Sequence, residues 1–171
     1  FERPADDRVG LPGPVGIRGD ERVDAVARAK QVRLAVFDVD GVMTDGTLWY
    51  GPQGEVMKAF NTLDGHGLKL LSRAGIRTAI LSGRRSDAVA HRARELGIEY
   101  LLQGIDNKLP AFESLLREAG VEASQTSYAG DDVMDIAVLK HCGFACAPAQ
   151  SHACAIAAAH FVPAAAAGRC T

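Results

Sequence analysis

Short apolar runs alternate with segments of helical periodicity along the chain from residue 32 onward. The runs RLAVFDV (33–39) and IRTAILSG (76–83) have the length and apolar content of buried strands, and QTSYAGDD (125–132) is expected to be a strand that ends in acids. The segments between the strands include several with the apolar spacing of helices. Strands that are joined by helices pair in parallel, and helices then cover both faces of the sheet. The sequence therefore predicts an α/β fold with a Rossmann-like parallel sheet sandwiched between helices.

The flanks of this fold and one of its connections have their own signals. Residues 1–31 predict a loose N-terminal arm, rich in Gly, Pro and charge, which passes into a short helix from residue 20. The compact domain is expected over residues 32–171. Residues 47–60 predict a β-hairpin insertion that turns at residues 51–54, because aromatic and β-branched residues flank a Gly-Pro-Gln-Gly turn.

Three shorter features allow local predictions. Ser86 precedes a run of helical periodicity and is expected to cap that helix. The stretch HFVPA (160–164) is expected to form the last short strand. On the hairpin, Trp49, Tyr50 and Phe60 are expected to give apolar surface that a monomer would expose.

Composition excludes several classes of protein. The chain has 171 residues and a net charge of −2, and its basic residues form no stripe, so no nucleic-acid partner is expected. No apolar run approaches the ~20 residues of a membrane span. There is no signal-peptide pattern, and the four cysteines form no C-x-x-C pair. We therefore expect a cytoplasmic protein with free thiols and no membrane partner.

Polar side chains follow three of the predicted strands, at the point where each strand ends. Asp38 and Asp40 follow the first, Ser82 ends the second, and Asp131 and Asp132 end a later one. Ligands of parallel sheets bind outside the carboxyl ends of the strands, so these side chains are expected to meet at one edge. Carboxylates that lie close together repel each other unless a cation is present, and Mg²⁺ prefers oxygen ligands. The pattern predicts a Mg²⁺ site.

The same side chains suit phosphoryl transfer. One carboxylate can attack phosphorus while a second carboxyl group handles protons. The hydroxyl of Ser82 and the backbone N–H groups around Gly83 can donate to phosphate oxygens, and Lys108 can supply a fixed positive charge. Arg84 offers the bidentate cation that a sugar-acid carboxylate would need.

Four motifs in this order, DVDGVMTDG, LSG, a lone Lys and GDDxxD, resemble those of haloacid dehalogenase-like phosphatases over roughly residues 32–163. The resemblance implies that Asp38 is the nucleophile that becomes an aspartyl-phosphate and that Asp40 is the general acid/base. It implies that Ser82 and Lys108 bind phosphate.

The resemblance also assigns the metal and its surroundings. It implies that Asp131 binds the metal together with Asp38 and the backbone carbonyl of Asp40. It further implies that Asp132 and Asp135 orient Lys108 or metal-bound water.

Longer stretches are similar to the 3-deoxy-D-manno-octulosonate 8-phosphate (KDO 8-phosphate) phosphatases, among them DVDGVMTDGTLWYGPQGEVMKAFN, LSGRRS and YAGDDVMD. This family implies no cap domain and a homotetramer that forms through the hairpin of residues 47–60. It also implies that Arg84 favours the eight-carbon sugar acid. The chain departs from the family where Leu63 replaces an Arg in FNTLDG and in its C-terminal stretch, where Arg169 is a candidate for substrate contact.

The leading hypothesis is a Mg²⁺-dependent phosphoric monoester hydrolase. It would act on KDO 8-phosphate through an aspartyl-phosphate, in the supply of lipopolysaccharide precursors. One alternative is a phosphatase that acts on nine-carbon, sialic-acid-type 9-phosphates. Phosphatases of that kind commonly carry Glu at the position of Arg84. The other is a non-catalytic phosphosugar-binding subunit, which would not need both Asp38 and Asp40.

Overall fold

A parallel sheet of five strands forms the centre of the molecule in a computed structural model, which describes residues 19–168, with side chains from residue 24 onward. The strands of this sheet lie in the order β5-β4-β1-β6-β7. Their bounds are Leu34–Phe37 (β1), Arg77–Ser82 (β4), Tyr100–Gln103 (β5), Thr126–Ala129 (β6) and Phe144–Cys146 (β7). Arg169 and most of the predicted N-terminal arm lie outside the described residues.

Within residues 19–168, two further strands form the hairpin and six α-helices surround the sheet. The hairpin strands are Trp49–Gly51 (β2) and Gly54–Met57 (β3), which pair antiparallel as predicted. The helices are Gly19–Ala29 (α1), Thr62–Arg73 (α2), Asp87–Leu96 (α3), Lys108–Ala119 (α4), Ile136–Leu139 (α5) and Ala153–Ala158 (α6). Single turns of 3₁₀-helix occupy Ala123–Gln125 and Val133–Asp135. None of the described helices is long and apolar enough to cross a membrane.

Helices cover both faces of the sheet because its side chains alternate between the two faces. Leu34 and Val36 belong to one buried cluster, which also holds residues of α4, α5 and α6. Phe37 and Ile80 belong to the other, which holds residues of α2 and α3. The predicted α/β sandwich is therefore confirmed.

Strand β1 is the middle strand, and its register sets the position of the polar loops. Phe37 at its end pairs with Ile80 of β4 and with Ala129 of β6. The loops after these three strands therefore leave the sheet at the same edge. Between Asp40 and the start of β4 the elements are the hairpin and α2, which is consistent with the expected absence of a cap domain in that interval.

Two local predictions were wrong, and a third, the cap at Ser86, was confirmed in position only. HFVPA forms a single bridge, from Phe161 to Cys146, because Pro163 lacks the N–H group that a longer ladder requires. Ser86 stands at the N-cap of α3 but makes no side-chain cap bond, since its hydroxyl donates to Glu55 instead. Phe60 is partly buried against the cluster of α2 and α3 rather than exposed.

Candidate active site

The sheet edge brings together most of the residues that the motifs singled out. Asp38 directly follows β1, Ser82 ends β4, and Asp131 lies two residues after β6. Lys108 is the first residue of α4 and follows the loop after β5. These positions explain why residues separated by almost 100 positions in sequence share one site.

Asp38 occupies the centre of the site. Its carboxylate accepts a 2.7 Å hydrogen bond from the backbone N–H of Val39 and lies 2.8 Å from the ammonium group of Lys108. The residue is 7% exposed, so one part of it remains open to the edge of the sheet. Burial raises the pKa of Asp38 to about 6, although the positive charge of Lys108 opposes this rise.

Lys108 is held between two acids. Its Nζ lies 2.8 Å from Oδ2 of Asp38 and 2.6 Å from Oδ1 of Asp135, and the residue is 4% exposed. Burial alone would lower the pKa of Lys108, but the charges of Asp38 and Asp135 outweigh burial and raise the pKa. Lys108 therefore remains an ammonium group at neutral pH and keeps a positive charge beside Asp38.

Asp135 is fully buried and accepts four hydrogen bonds. Its Oδ1 accepts from Lys108 and from the hydroxyl of Tyr128, at 2.6 and 2.5 Å. Its Oδ2 accepts from the backbone N–H groups of Asp131 and Asp132, at 3.0 and 3.1 Å. Asp135 thus joins the loop after β6 to Lys108. The resemblance implied that Asp135 orients Lys108, and the two side chains are in contact.

Asp132 has a different environment from the one expected. Its side chain is exposed and accepts from the N–H of Val133, so it caps the 3₁₀ turn that follows. No hydrogen bond or ion pair joins it to Lys108 among the described side chains. Its contribution is therefore local, because it fixes the turn that carries Asp135.

Asp131 lies beside the backbone of the first motif. A methyl group at Gly41, whose φ is 79°, would lie 1.9 Å from Oδ2 of Asp131, so only glycine allows this close approach. Burial raises the pKa of Asp131 to about 7, and the charges of Asp38, Asp135 and Asp132 add to the rise. This carboxylate has an unfavourable environment unless a cation is close.

The acids of this edge could hold a divalent cation. One oxygen from each of Asp38, Asp131 and Asp135 lies within 4.8 Å of the others. Asp135 already accepts four hydrogen bonds, whereas no side chain between residues 24 and 168 donates to the carboxylate of Asp131. Hard carboxylate oxygens that repel one another match the ligand preference of Mg²⁺. The donor set therefore fits a magnesium ion between Asp38 and Asp131.

Asp40 lies at the rim of the site and contacts two cations. Its Oδ1 accepts from Lys58 of the hairpin, and its Oδ2 lies 3.7 Å from Nε of Arg84. Glu55 contacts the same two cations, at 3.1 Å from Lys58 and 3.8 Å from Arg84. Sequence reasoning missed Lys58 and Glu55, because an acid and a lysine three residues apart on a hairpin are common on solvated surfaces.

The remaining predicted residues line the loop after β4. Ser82 is buried, and its Oγ accepts a weak 3.4 Å hydrogen bond from the backbone N–H of Arg84. Gly83 lies between them in the same turn. The side chain of Arg84 is 40% exposed and donates to the hydroxyl of Tyr50, which raises the pKa of the guanidinium. Arg84 therefore lies at the open side of the site with the hairpin as its neighbour.

Comparisons with known proteins agree with this geometry. The 3-deoxy-D-manno-octulosonate 8-phosphate phosphatase KdsC of Yersinia pestis is 42% identical over 139 residues, which cover 81% of this chain and 74% of that protein. A solved structure of the corresponding phosphatase from Moraxella catarrhalis, in complex with magnesium ion, phosphate ion and a KDO molecule, has a TM-score of 0.83 and 36% identity. The match covers 85% of this chain and 84% of that one. No protein-family model matches the chain.

The central acid after β1 and the polar loops around it define the class of the haloacid dehalogenase-like phosphatases. A solved structure from Legionella pneumophila that is assigned to this superfamily, in subfamily III A, has a TM-score of 0.85 and 31% identity, and the match covers 88% of this chain and 82% of that one. Within this class, the chain belongs to the family of 3-deoxy-D-manno-octulosonate 8-phosphate phosphatases.

Proposed function

We propose that the protein hydrolyses KDO 8-phosphate to the free sugar acid and phosphate through an aspartyl-phosphate on Asp38. The observation that carries this proposal is the position of the Asp38 carboxylate. It is buried beside Lys108 and Asp131, yet it remains partly open to the edge where ligands of parallel sheets bind. The name and the bound ligands of the relatives support the choice of sugar acid.

The proposed chemistry uses two carboxyl groups. An oxygen of Asp38 attacks phosphorus, and the bond from phosphorus to the sugar oxygen breaks. Asp40 gives its proton to the leaving oxygen and then takes a proton from the water that hydrolyses the acyl-phosphate. Ser82, the turn at Gly83 and Lys108 bind the phosphate oxygens, while Asp135 keeps Lys108 in place.

Asp38, Asp131 and the backbone carbonyl of Asp40 would hold the magnesium ion. When bound, Mg²⁺ would neutralise the carboxylates and the negative charge on the phosphate oxygens. Asp131 and Asp38 therefore act as oxygen ligands in this proposal, in addition to the role of Asp38 as nucleophile.

The response to magnesium provides a prediction. The pKa of Asp131 is about 7 in the folded protein, against 3.8 for an ordinary carboxyl group. The folded state therefore binds this proton more tightly than the unfolded state does, and the protein loses stability as the pH rises from about 4 to 7. We expect Mg²⁺ to raise the Tm more at pH 8 than at pH 5.5, where the cation must displace protons. Asp131→Asn should abolish this shift and raise the Tm without metal at pH 8 by roughly 2–4 °C.

Thermal melts with and without Mg²⁺ test this prediction. Asp132→Asn is the matched control, because its carboxylate is exposed and belongs to the turn after β6. A magnesium shift that is as large in Asp131→Asn as in the wild type would remove Asp131 from the metal site.

The sugar acid itself is tested by comparing two substrates. The side chain of Arg84 is 40% exposed at the open side of the site, and it can pair with the carboxylate of the sugar acid. We expect kcat/KM for KDO 8-phosphate to exceed that for the nine-carbon 9-phosphate under identical conditions with Mg²⁺. A preference for the nine-carbon compound would favour the alternative substrate, and binding of either compound without phosphate release would favour the non-catalytic subunit.

The cellular setting is part of the same proposal. Hydrolysis of KDO 8-phosphate would supply a precursor of lipopolysaccharide in the cytoplasm. We also propose that residues 32–171 form the capless catalytic domain and that residues 1–31 form an arm with a short helix. Of this arm, the helix α1 lies within the described part of the chain.

We further propose a homotetramer that forms through the hairpin of residues 47–60. Trp49 and Val56 are 52% and 61% exposed, and Tyr50 and Met57 of the same hairpin are exposed as well, so apolar surface is concentrated on this element. Val56→Lys should therefore lower the mass of the assembly in light scattering, because a buried lysine without a partner is unfavourable. Gln53→Lys at the hairpin turn is the control, and an unchanged mass in Val56→Lys would contradict an interface at this strand.

A further inference from the structure

Lys58 has a buried side chain, and the sequence analysis assigned it no role. Its side chain is 1% exposed, although it lies on a hairpin whose other side chains are largely exposed. Its ammonium group contacts Oδ1 of Asp40 and lies 3.1 Å from Oε2 of Glu55. A buried ammonium group is tolerated only where acids surround it, so the position of Lys58 is fixed by these two contacts.

Arg84 contacts the same two acids less closely than Lys58 does, and it also donates a hydrogen bond to the hydroxyl of Tyr50. Its contacts with Asp40 and Glu55 are 3.7 and 3.8 Å long, and its side chain is 40% exposed. The two cations therefore differ in freedom. Arg84 can turn towards a substrate carboxylate while Lys58 continues to hold Asp40.

Glu55, the second acid that contacts Lys58, is itself hydrogen-bonded to the main domain. Oε1 of Glu55 accepts a hydrogen bond from the hydroxyl of Ser86, at the start of α3. The backbone N–H of Ser86 donates in turn to the side chain of Gln103, at the end of β5, at 2.9 Å. A continuous set of polar contacts thus runs from the sheet through the hairpin to Asp40.

We propose that Lys58 is a positioning residue that orients the carboxyl group of Asp40 for proton transfer. This inference rests on the proposed function, in which Asp40 acts as general acid. Because Lys58 occupies Oδ1, Oδ2 is the oxygen that faces Arg84, and in the proposed reaction the proton is transferred from Oδ2. That proton moves to the leaving sugar oxygen as its bond to phosphorus breaks and the bond from Asp38 to phosphorus forms.

The dependence of the rate on the leaving group tests this assignment. A sugar alkoxide needs a proton as it departs, whereas p-nitrophenolate departs without one, and kcat/KM reports the steps up to departure. We expect Lys58→Met to lower kcat/KM for KDO 8-phosphate by about 100-fold, the lower range for loss of general acid catalysis. The loss with p-nitrophenyl phosphate should be several-fold at most.

Three further variants separate positioning from folding. Lys140→Met removes an exposed lysine and should change neither rate. Lys58→Arg retains the charge and should restore part of the rate with KDO 8-phosphate. Glu55→Gln/Lys58→Met also removes the charge of Glu55, which loses its contact with Lys58 in the single variant, and it should retain the loss that is selective for the sugar phosphate.

The possible outcomes are distinct. An equal loss with both substrates, or no loss with either, would overturn the role of Lys58. If the wild type hydrolyses p-nitrophenyl phosphate and other sugar phosphates but not KDO 8-phosphate, the proposed substrate is wrong. In that case, the role of Lys58 is decided by comparing wild type and Lys58→Met on p-nitrophenyl phosphate and on a sugar phosphate that the wild type does hydrolyse. A wild type that is inactive on every phosphate ester would overturn the proposed function and this inference together.

Discussion

Asp38→Asn is expected to abolish phosphate release while it leaves the fold intact. An amide oxygen is a poor nucleophile, so the aspartyl-phosphate cannot form, and the loss in kcat should be on the order of 10⁴-fold or more. The amide has nearly the shape of the carboxyl group and can still accept from Val39. Because burial already disfavours the charged form of Asp38, the Tm should not fall.

Phosphate release and thermal melting of the purified variant measure this effect. Mass spectrometry must show that the asparagine has not deamidated to aspartate, which would restore the nucleophile. Denatured wild-type enzyme quenched during turnover should carry a phosphate label that hydroxylamine removes, and Asp38→Asn should carry none. Substantial activity in an intact Asp38→Asn protein would exclude the covalent mechanism.

The second large effect is expected for Asp135→Ala. The substitution removes the acceptor for Lys108, for the hydroxyl of Tyr128 and for two backbone N–H groups. Removal of one partner of a buried ion pair costs about 3–5 kcal/mol, which corresponds to a fall in Tm of roughly 10 °C for a chain of this length. Phosphate release should be lost as well, since Lys108 and the loop of Asp131 lose their common support.

Asp132→Ala is the control for this loss of stability. Asp132 belongs to the same turn, but its side chain is exposed and accepts only backbone N–H groups of that turn, among them that of Val133. Its removal should cost only about 1 kcal/mol, as for an ordinary helix cap. Chemical denaturation of both variants measures the difference. Equal free energies of unfolding would show that Asp135 has no special structural role.

The sequence predicted the sheet and the place of the site well. Apolar runs separated by helical segments favour a parallel sheet, and parallel strands bring their carboxyl ends to one edge. Asp38, Ser82 and Asp131 therefore could be assigned to a common site before any distance was known. The strand expected at 160–164 failed because a proline interrupts the hydrogen bonds that would extend a single bridge.

The burial and the hydrogen-bond partners of each acid could not be predicted from the neighbouring residues in the sequence. The motif treated Asp132 and Asp135 alike, but burial separates them, since one caps a turn at the surface and the other accepts four hydrogen bonds inside. Likewise, Ser86 has the residue type and the position of a helix cap. Its hydroxyl bonds to Glu55 because the hairpin folds back over α3, which no local pattern reveals.

The order and the spacing of the chain by themselves determined a parallel α/β sheet, a cluster of acids at its carboxyl edge and the class of chemistry that such acids perform. Tertiary structure alone decided which charges meet. Lys58 is 18 residues from Asp40 and directly follows the second strand of the hairpin, yet its ammonium group contacts that carboxylate. Periodicity records which face of an element is buried, whereas ion pairs depend on how separate elements pack. The partners of Asp40 could therefore be found only in the folded molecule.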